Sequence, residues 1–156
     1  MLKIPDLSKN RLKNLAPDRI VSDQTFSYAD TEGTADLIGY NIVFFKKKGT
    51  EELSAICFQE IFDDEIIELS NSILKKSGID IRFGETIKDI SAYLGDSYFV
   101  DNIFENMIRY GALISANIFV SIGLSDEKMT YFEVVMDKEM IEKIINVRTD
   151  KIINTK

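Results

Sequence analysis

Residues 107–136 contain the pattern that most restricts the fold, because apolar and polar residues alternate along three successive segments. A period of two residues directs one side of each segment to a core and the other side to solvent. Short polar turns join the segments, and turns of that length connect antiparallel strands. We therefore predict strands over 107–114, 116–124 and 129–136, arranged as an antiparallel meander with one buried face.

The segment 62–76 has the strongest helical pattern in the chain. Its apolar residues recur at helical spacing, which gives one apolar stripe. Asp63 and Asp64 stand where an N-cap belongs, and Gly78 follows the last turn. The pattern predicts a helix that packs its stripe against the sheet.

Capping residues predict two further helices. Thr86 is suited to cap a short helix over 87–94. Asp137 is suited to cap a last helix, in which Glu139 can pair with Lys143 one turn later. In both of these segments the apolar residues again recur at helical spacing.

The rest of the chain completes a prediction of the whole domain. Residues 1–35 are polar and predicted to be irregular, with a turn at "TEGTAD", while 37–45 and 53–61 are predicted to be strands joined by a hairpin loop. The order is then two strands, two helices, three strands and one helix. We expect a single α+β domain over 1–156 with its core in 37–146. Its mainly antiparallel sheet would have about five strands, with helices packed on one face.

The absence of histidine and the single cysteine exclude most familiar catalytic sites. Ser-His-Asp and Cys-His arrangements, histidine-containing zinc sites and all-cysteine zinc sites need residues that the chain lacks. The glycine-rich motifs that bind phosphates are also missing. Cys57 is expected to be a small buried apolar residue. We therefore expect a protein that is not an enzyme and that uses neither a cofactor nor a metal.

Charge and hydropathy indicate the kind of partner. The net charge is −7, and it is uneven, since residues 1–50 have eight Lys/Arg against six Asp/Glu while the remainder has eleven against twenty. Such a surface repels nucleic acid and attracts a basic partner. There is no apolar run long enough for a membrane span and no apolar core of a secretory signal. We expect a cytoplasmic protein that binds neither nucleic acid nor membrane.

Two acidic groups are candidates for binding that basic partner. One opens the helix at 62–76, and the other lies within 85–105, where aromatic residues stand beside acids. Rigid apolar anchors with a charged rim are typical of protein interfaces. The alternatives are a solvated first helical turn for the acids and packing on the sheet for the aromatics. The residues predicted to bind the partner are Asp63, Asp64, Glu65, Glu68, Phe99, Asp101, Phe104 and Glu105.

The order of "LIGYNIVFF", the acidic helix, "IRFGETIKDISAYLG", "FVSIGL" and "YFEVV" resembles immunity proteins of bacterial contact-dependent growth inhibition systems. The resemblance covers roughly 37–145. It implies a small cytosolic protein that binds the C-terminal toxin domain of an effector delivered by its own strain, often a nuclease. Inhibition would be by occlusion, without catalysis. The resemblance assigns no contact residue.

Two other functions stay open on the sequence. A small hydrolase could use carboxylates alone, and an adaptor module could self-associate through a sheet edge. Loss of activity on a single Asp or Glu substitution, with folding retained, would favour the hydrolase. A stable dimer in solution would favour the adaptor.

Overall fold

Two antiparallel meanders of four strands each form most of the structure, a computed structural model that describes residues 1–104, 106–148 and 152–154. The first meander comprises β1 (Ser22–Tyr28), β2 (Thr31–Ile38), β3 (Ile42–Lys47) and β4 (Leu53–Phe58). The second comprises β5 (Ser97–Phe104), β6 (Met107–Ser115), β7 (Ile118–Ser125) and β8 (Lys128–Val135). The meanders join where β4 pairs with β8, and a short β9 (Ile152–Asn154) pairs with β5. The result is one antiparallel sheet in the order β1-β2-β3-β4-β8-β7-β6-β5-β9.

Helices cover both faces of this sheet. The described residues form α1 (Leu12–Leu15), α2 (Asp64–Lys76), α3 (Ser91–Leu94) and α4 (Lys138–Arg148). We call the face that packs against α2, α3 and the N-terminal segment the outer face; its buried residues include Phe44, Phe58 and Phe132. The inner face packs against α4, and its buried residues include Phe45 and Phe119. Both faces are apolar because each one is buried by helices.

The predicted α+β class is confirmed, but the prediction of about five strands with helices on one face is wrong. The run "LIGYNIVFF" is divided between β2 and β3 by a turn in which Gly39 has a φ of +57°. The stretch "TEGTAD" is part of β2 and not a turn, and β5 was not predicted as a strand. Four of the nine described strands therefore had no prediction of their own: β1, β2, β5 and β9.

The N-terminal segment is also more ordered than its polar composition predicted. Leu7 and Leu12 are fully buried against the outer face. The backbone N–H of Leu53 donates to the carbonyl of Ser8 at 2.8 Å, which ties the segment to β4. Residues 1–16, which include α1, therefore pack along the outer face of the sheet as a strap, and β1 begins at Ser22.

The predicted helix starts are correct at α4 and displaced at α3. Asp137 caps α4, since its Oδ2 accepts a hydrogen bond from the Met140 N–H at 3.1 Å, and the predicted pair of Glu139 and Lys143 is present at 3.6 Å. The predicted helix over 87–94 is shorter and covers only the last turn, α3. The Ile87 N–H donates instead to the carbonyl of Glu127 at 2.8 Å, so the backbone before α3 follows the β7–β8 turn.

The sheet curls strongly around its inner face. The hydroxyl of Tyr28 on β1 donates a hydrogen bond to Glu133 on β8. Four strand spacings separate β1 from β8, which would be about 19 Å in a flat sheet and beyond the reach of both side chains. The curl needs small residues on the inner face: a Cβ on Gly33 would lie 2.1 Å from the Lys46 carbonyl oxygen, and one on Gly123 would lie 2.6 Å from Cβ of Tyr131.

Candidate functional site

The curled inner face forms an open cavity of about 450 Å³, which we call the inner cavity. Its walls are the β1–β2 turn, α4 and the strands between them. Apolar side chains form most of these walls, among them Phe26, Val43, Phe119 and Ile144. Charged and hydroxyl-bearing side chains converge on its floor, from β6, β7 and β8.

Glu133 is the central acid of this floor. It is half-buried on β8, and it accepts the hydrogen bond that closes the curl from Tyr28. Burial raises the pKa of the Glu133 carboxyl above its ordinary value of 4.5, although hydrogen bonds from Tyr28, Ser121 and Tyr131 oppose that shift. The positive charge of Arg109 also lowers this pKa, so hydroxyls and one cation together oppose the effect of burial.

Arg109 is the central base of the floor, and its hydrogen-bonding capacity is not met. Its guanidinium carbon lies 3.7 Å from the centroid of the Tyr131 ring, which is a cation–π contact. Its Nε is buried and has no hydrogen-bond partner among the described residues. None of the ion pairs formed between described residues includes Arg109.

The thiol and two of the phenolic hydroxyls of the inner cavity are held in their neutral forms. Burial raises the pKa of the Cys57 thiol to about 12, with the charge of Glu133 adding to the shift. Burial also raises the pKa of the Tyr28 and Tyr131 hydroxyls well above 10. A thiolate nucleophile is therefore not available there at neutral pH. In the described ranges, no group of three or more acidic or cysteine side chains is placed to hold a metal ion.

A second depression, which we call the tyrosine groove, lies on the outer side of the second meander and has a volume of about 580 Å³. Tyr98 and Tyr110 line it, from β5 and β6, as diagonal neighbours with ring centroids 5.4 Å apart and nearly perpendicular planes. Both rings are half-buried. Burial and the neighbouring Tyr98 raise the pKa of the Tyr110 hydroxyl, so Tyr110 presents a neutral aromatic ring.

Carboxylates surround the tyrosine groove. Asp89 comes from the segment before α3, and Asp126 and Glu127 come from the β7–β8 turn; all three side chains are exposed. The turn is fixed, since the Ile87 N–H donates to Glu127 and Asn106 Nδ2 lies 3.3 Å from a carboxylate oxygen of Asp126. Lys88 is the one base among the residues that line the groove. The groove is thus suited to a cationic side chain.

The acids predicted on the first helix lie together on α2. Asp63 precedes the helix in extended conformation but makes no side-chain cap, and Asp64 begins the helix. The side chains of these two and of Glu65 and Glu68 are exposed, and Glu65 Oε1 lies 3.5 Å from an Arg19 nitrogen. The structure brings these four together on the outer side of the sheet, on a different element from those that form the tyrosine groove.

The residues predicted within 85–105 are separated by the sheet. Phe99 is only 7% exposed and packs on Phe119 with ring centroids 6.3 Å apart, so the prediction that it anchors a partner is wrong. Alternation along β5 is the reason, since it turns Tyr98 outward and Phe99 inward. Asp101 is half-buried in β5 and stands opposite Arg109 in β6. Phe104 ends β5, and its side chain and Glu105 lie outside the described residues.

Sequence reasoning missed the tyrosine pair and the charged floor of the inner cavity. Tyr110 belongs to a strand that was predicted correctly, and its even position already placed it on the same side as Ile108 and Ala112. The missing information was its neighbour, because Tyr98 is brought beside it by pairing between β5 and β6. The charged floor was missed because only the curl of the sheet brings Tyr28 close to Arg109 and Glu133.

Compared with models of protein families, with curated proteins and with solved structures, the chain has no significant match. Across the described ranges, none of the helices combines the length and the apolar composition that a bilayer crossing requires. A function for the chain therefore has to be argued from the chemistry of the inner cavity and the tyrosine groove.

Proposed function

We propose that the chain is a non-catalytic binding protein that neutralises a cognate toxin domain in the cytosol by docking its acidic outer side on a basic surface. The observation that carries the proposal is the tyrosine groove. It combines two aromatic faces with three exposed carboxylates and one lysine. Neutralisation of a nuclease domain would follow from occlusion of its nucleic-acid groove, whose charge such a surface complements.

The groove favours an arginine or lysine side chain over other ligands. A guanidinium or ammonium group gains roughly 0.5–2 kcal/mol from an aromatic face, depending on how far it is desolvated. Carboxylates around the same site add charge-assisted hydrogen bonds, which are stronger than neutral ones. Asp126 and Glu127 are carried on a turn that is already hydrogen-bonded to its neighbours, so little conformational entropy is lost when they bind.

The acidic start of α2 extends the surface that a partner could cover. A stable interface covers about 800 Å² on each partner, which is more than one groove supplies. Phe62 is 51% exposed beside Asp63 and Asp64, and Tyr40 is 64% exposed at the adjacent β2–β3 turn. The Gln59 side chain donates to the Tyr40 carbonyl at 2.6 Å, which holds that turn against the start of the helical segment. These aromatic residues, with the acids around them, form a second contact region of the same character.

The proposal is tested by titrating the chain with the isolated C-terminal domain of the polypeptide encoded just upstream. We expect nanomolar one-to-one binding and loss of that domain's toxicity. The variant Asp126→Asn/Glu127→Gln removes two charges from the groove and should weaken binding more than tenfold, because each side chain then loses its charge-assisted contact.

The matched control is Asp23→Asn/Glu142→Gln, which removes the same two charges at exposed positions on β1 and α4. It should weaken binding by less than threefold. Absence of binding by a well-folded chain would reject the cognate-toxin proposal. Equal effects of the two double variants would reject the groove as the contact site.

A further inference from the structure

The inner cavity differs in chemical character from the tyrosine groove and lies on the opposite face of the sheet. We propose that it is a binding site for a small molecule with a carboxylate head and a flat apolar body, in which Arg109 pairs with the carboxylate. This inference goes beyond the toxin-binding proposal and does not depend on it.

The Arg109 guanidinium has hydrogen-bonding capacity that the described residues do not use. Arginine carries five N–H donors, and a desolvated one is costly unless its charge and donors are met. Here the guanidinium stacks on the Tyr131 ring, and its buried Nε has no hydrogen-bond partner among the described residues. Asp101 in β5 stands opposite Arg109, and the charge of Arg109 lowers the pKa of Glu133, but neither acid supplies a partner for that Nε. The planar fork of a guanidinium is matched by the two oxygens of a carboxylate.

Glu133 does not take that role within the protein. It accepts a hydrogen bond from the Tyr28 hydroxyl, and the nearby Ser121 and Tyr131 hydroxyls lower its pKa. Because the Tyr28 hydroxyl already binds it, Glu133 closes the curl of the sheet. The group with unused capacity on the floor is Arg109.

The remaining charges lie at the rim of the inner cavity. Lys143 lines the cavity from α4, and Asp30 lines it from the β1–β2 turn. Both side chains are exposed, and Lys143 also lies 3.6 Å from Glu139 on its own helix. The rim is therefore close to neutral, and the half-buried Arg109 determines the charge of the ligand head.

The walls determine the body of the ligand. Phe26, Phe119, Val43 and Ile144 present apolar surface around the floor, and the cavity volume of about 450 Å³ is within the range of small-molecule sites. Aromatic side chains among these walls favour an aromatic body, which can pack against their rings. An aromatic carboxylate with two fused rings is the simplest probe that meets both requirements.

The test compares 2-naphthoate with its neutral isostere 2-naphthamide by calorimetric titration of the intact chain. The chain has no tryptophan, so naphthoate fluorescence can be followed in parallel against tyrosine alone. We expect naphthoate to bind at least tenfold more tightly than naphthamide. Equal affinities, or no naphthoate binding up to millimolar concentration, would overturn the proposal without any variant having to fold.

Variants then assign the binding to Arg109. Arg109→Gln should reduce the affinity for naphthoate to that for naphthamide, whereas Arg109→Lys should retain part of the preference. Arg19→Gln is the matched control, since Arg19 pairs with Glu65 at the surface of α2 and not in the inner cavity. A naphthoate affinity that Arg109→Gln leaves unchanged would place the ligand elsewhere and contradict the assignment.

Discussion

Glu133 and Arg109 show how two side chains of opposite charge can share a floor and yet perform different tasks. Glu133 accepts a hydrogen bond from the Tyr28 hydroxyl and so joins the first strand of the sheet to the second meander. Arg109 stacks on the Tyr131 ring, and its buried Nε has no hydrogen-bond partner among the described residues. The acid therefore stabilises the fold, while the base is available to a ligand.

The raised pKa of Glu133 leads to a pH dependence of stability. A carboxyl whose pKa is higher in the folded state than its unfolded value contributes stability below the unfolded value, and this contribution is lost as the pH rises through the folded value. The folded pKa is raised mainly by burial, so the loss begins above pH 4.5, the ordinary value. Glu133→Gln removes the ionisation and keeps an oxygen that can accept from Tyr28.

We therefore expect the stability of Glu133→Gln relative to the parent chain to improve as the pH rises from 4 to 8, by about 1.4 kcal/mol for each unit by which the pKa is raised. Urea unfolding at each pH gives the two free energies. Glu142→Gln, the same change at an exposed position of α4, is measured alongside as the control. A relative stability of Glu133→Gln that is constant or falls with pH would contradict the assignment.

At the scale of elements, the curl of the sheet is the feature on which the inner cavity depends. It brings β1 over β8, and it is possible because inner-face positions lack side chains where strands approach each other closely. The Tyr28 ring also stacks on Phe45 of β3 with centroids 5.6 Å apart. The β1–β2 hairpin is thus held both by packing and by one hydrogen bond.

Tyr28→Phe should separate these two contributions, because the ring stays and the hydroxyl is lost. Loss of a hydrogen bond to a half-buried carboxylate should reduce the free energy of unfolding by about 1–2 kcal/mol. Amide hydrogen exchange in β1 should accelerate more than exchange in β7. Tyr40→Phe, at an exposed tyrosine, should leave both measurements unchanged; equal effects of the two variants would show that the hydroxyl does not hold the hairpin.

Gly33→Ala tests the curl itself. Its Cβ would lie 2.1 Å from the backbone oxygen of Lys46, and a backbone atom cannot move aside as a side chain can. We expect a loss of about 2 kcal/mol or more in the free energy of unfolding, the upper part of the range for overpacking. Thr34→Ala, at an exposed position of the same strand, should cost less than half as much. Similar losses would indicate that β2 can relax away from β3.

The elements that were predicted from sequence are those whose pattern is local. In β6 to β8, apolar residues alternate with polar ones and short turns join the strands. The α4 cap depends on Asp137 and its neighbours alone. β2 was missed because "TEGTAD" consists of residues that are common in turns. Gly33 in this stretch is needed because β3 approaches it closely, and the sequence alone does not show that approach. β5 was missed because Tyr98 and Phe99 are both aromatic and are buried by opposite faces. The inner cavity could not be predicted, because it is assembled from β1, β6, β7, β8 and α4, of which β1 is distant from the others in the sequence. The tyrosine pair was missed because β5 was not predicted to be a strand that pairs with β6.

At the scale of the whole molecule, the sheet separates two surfaces with different chemistry. The outer side carries the tyrosine groove and the exposed acids of α2, and the inner side carries the half-buried Arg109. The net charge of −7 adds a long-range attraction for a basic partner. Because the groove has three carboxylates and one lysine, this attraction should direct the partner to the outer side.

The most direct measurement is the association rate constant between the chain and the isolated toxin domain at increasing ionic strength, for the parent and for Asp126→Asn/Glu127→Gln. We expect the parent rate to fall steeply from low to physiological salt, since the Debye length shrinks to about 8 Å. The groove variant should associate more slowly at low salt and should have a shallower salt dependence. A rate that is independent of salt, or identical slopes for the two proteins, would contradict recognition of a basic partner by the acidic tyrosine groove.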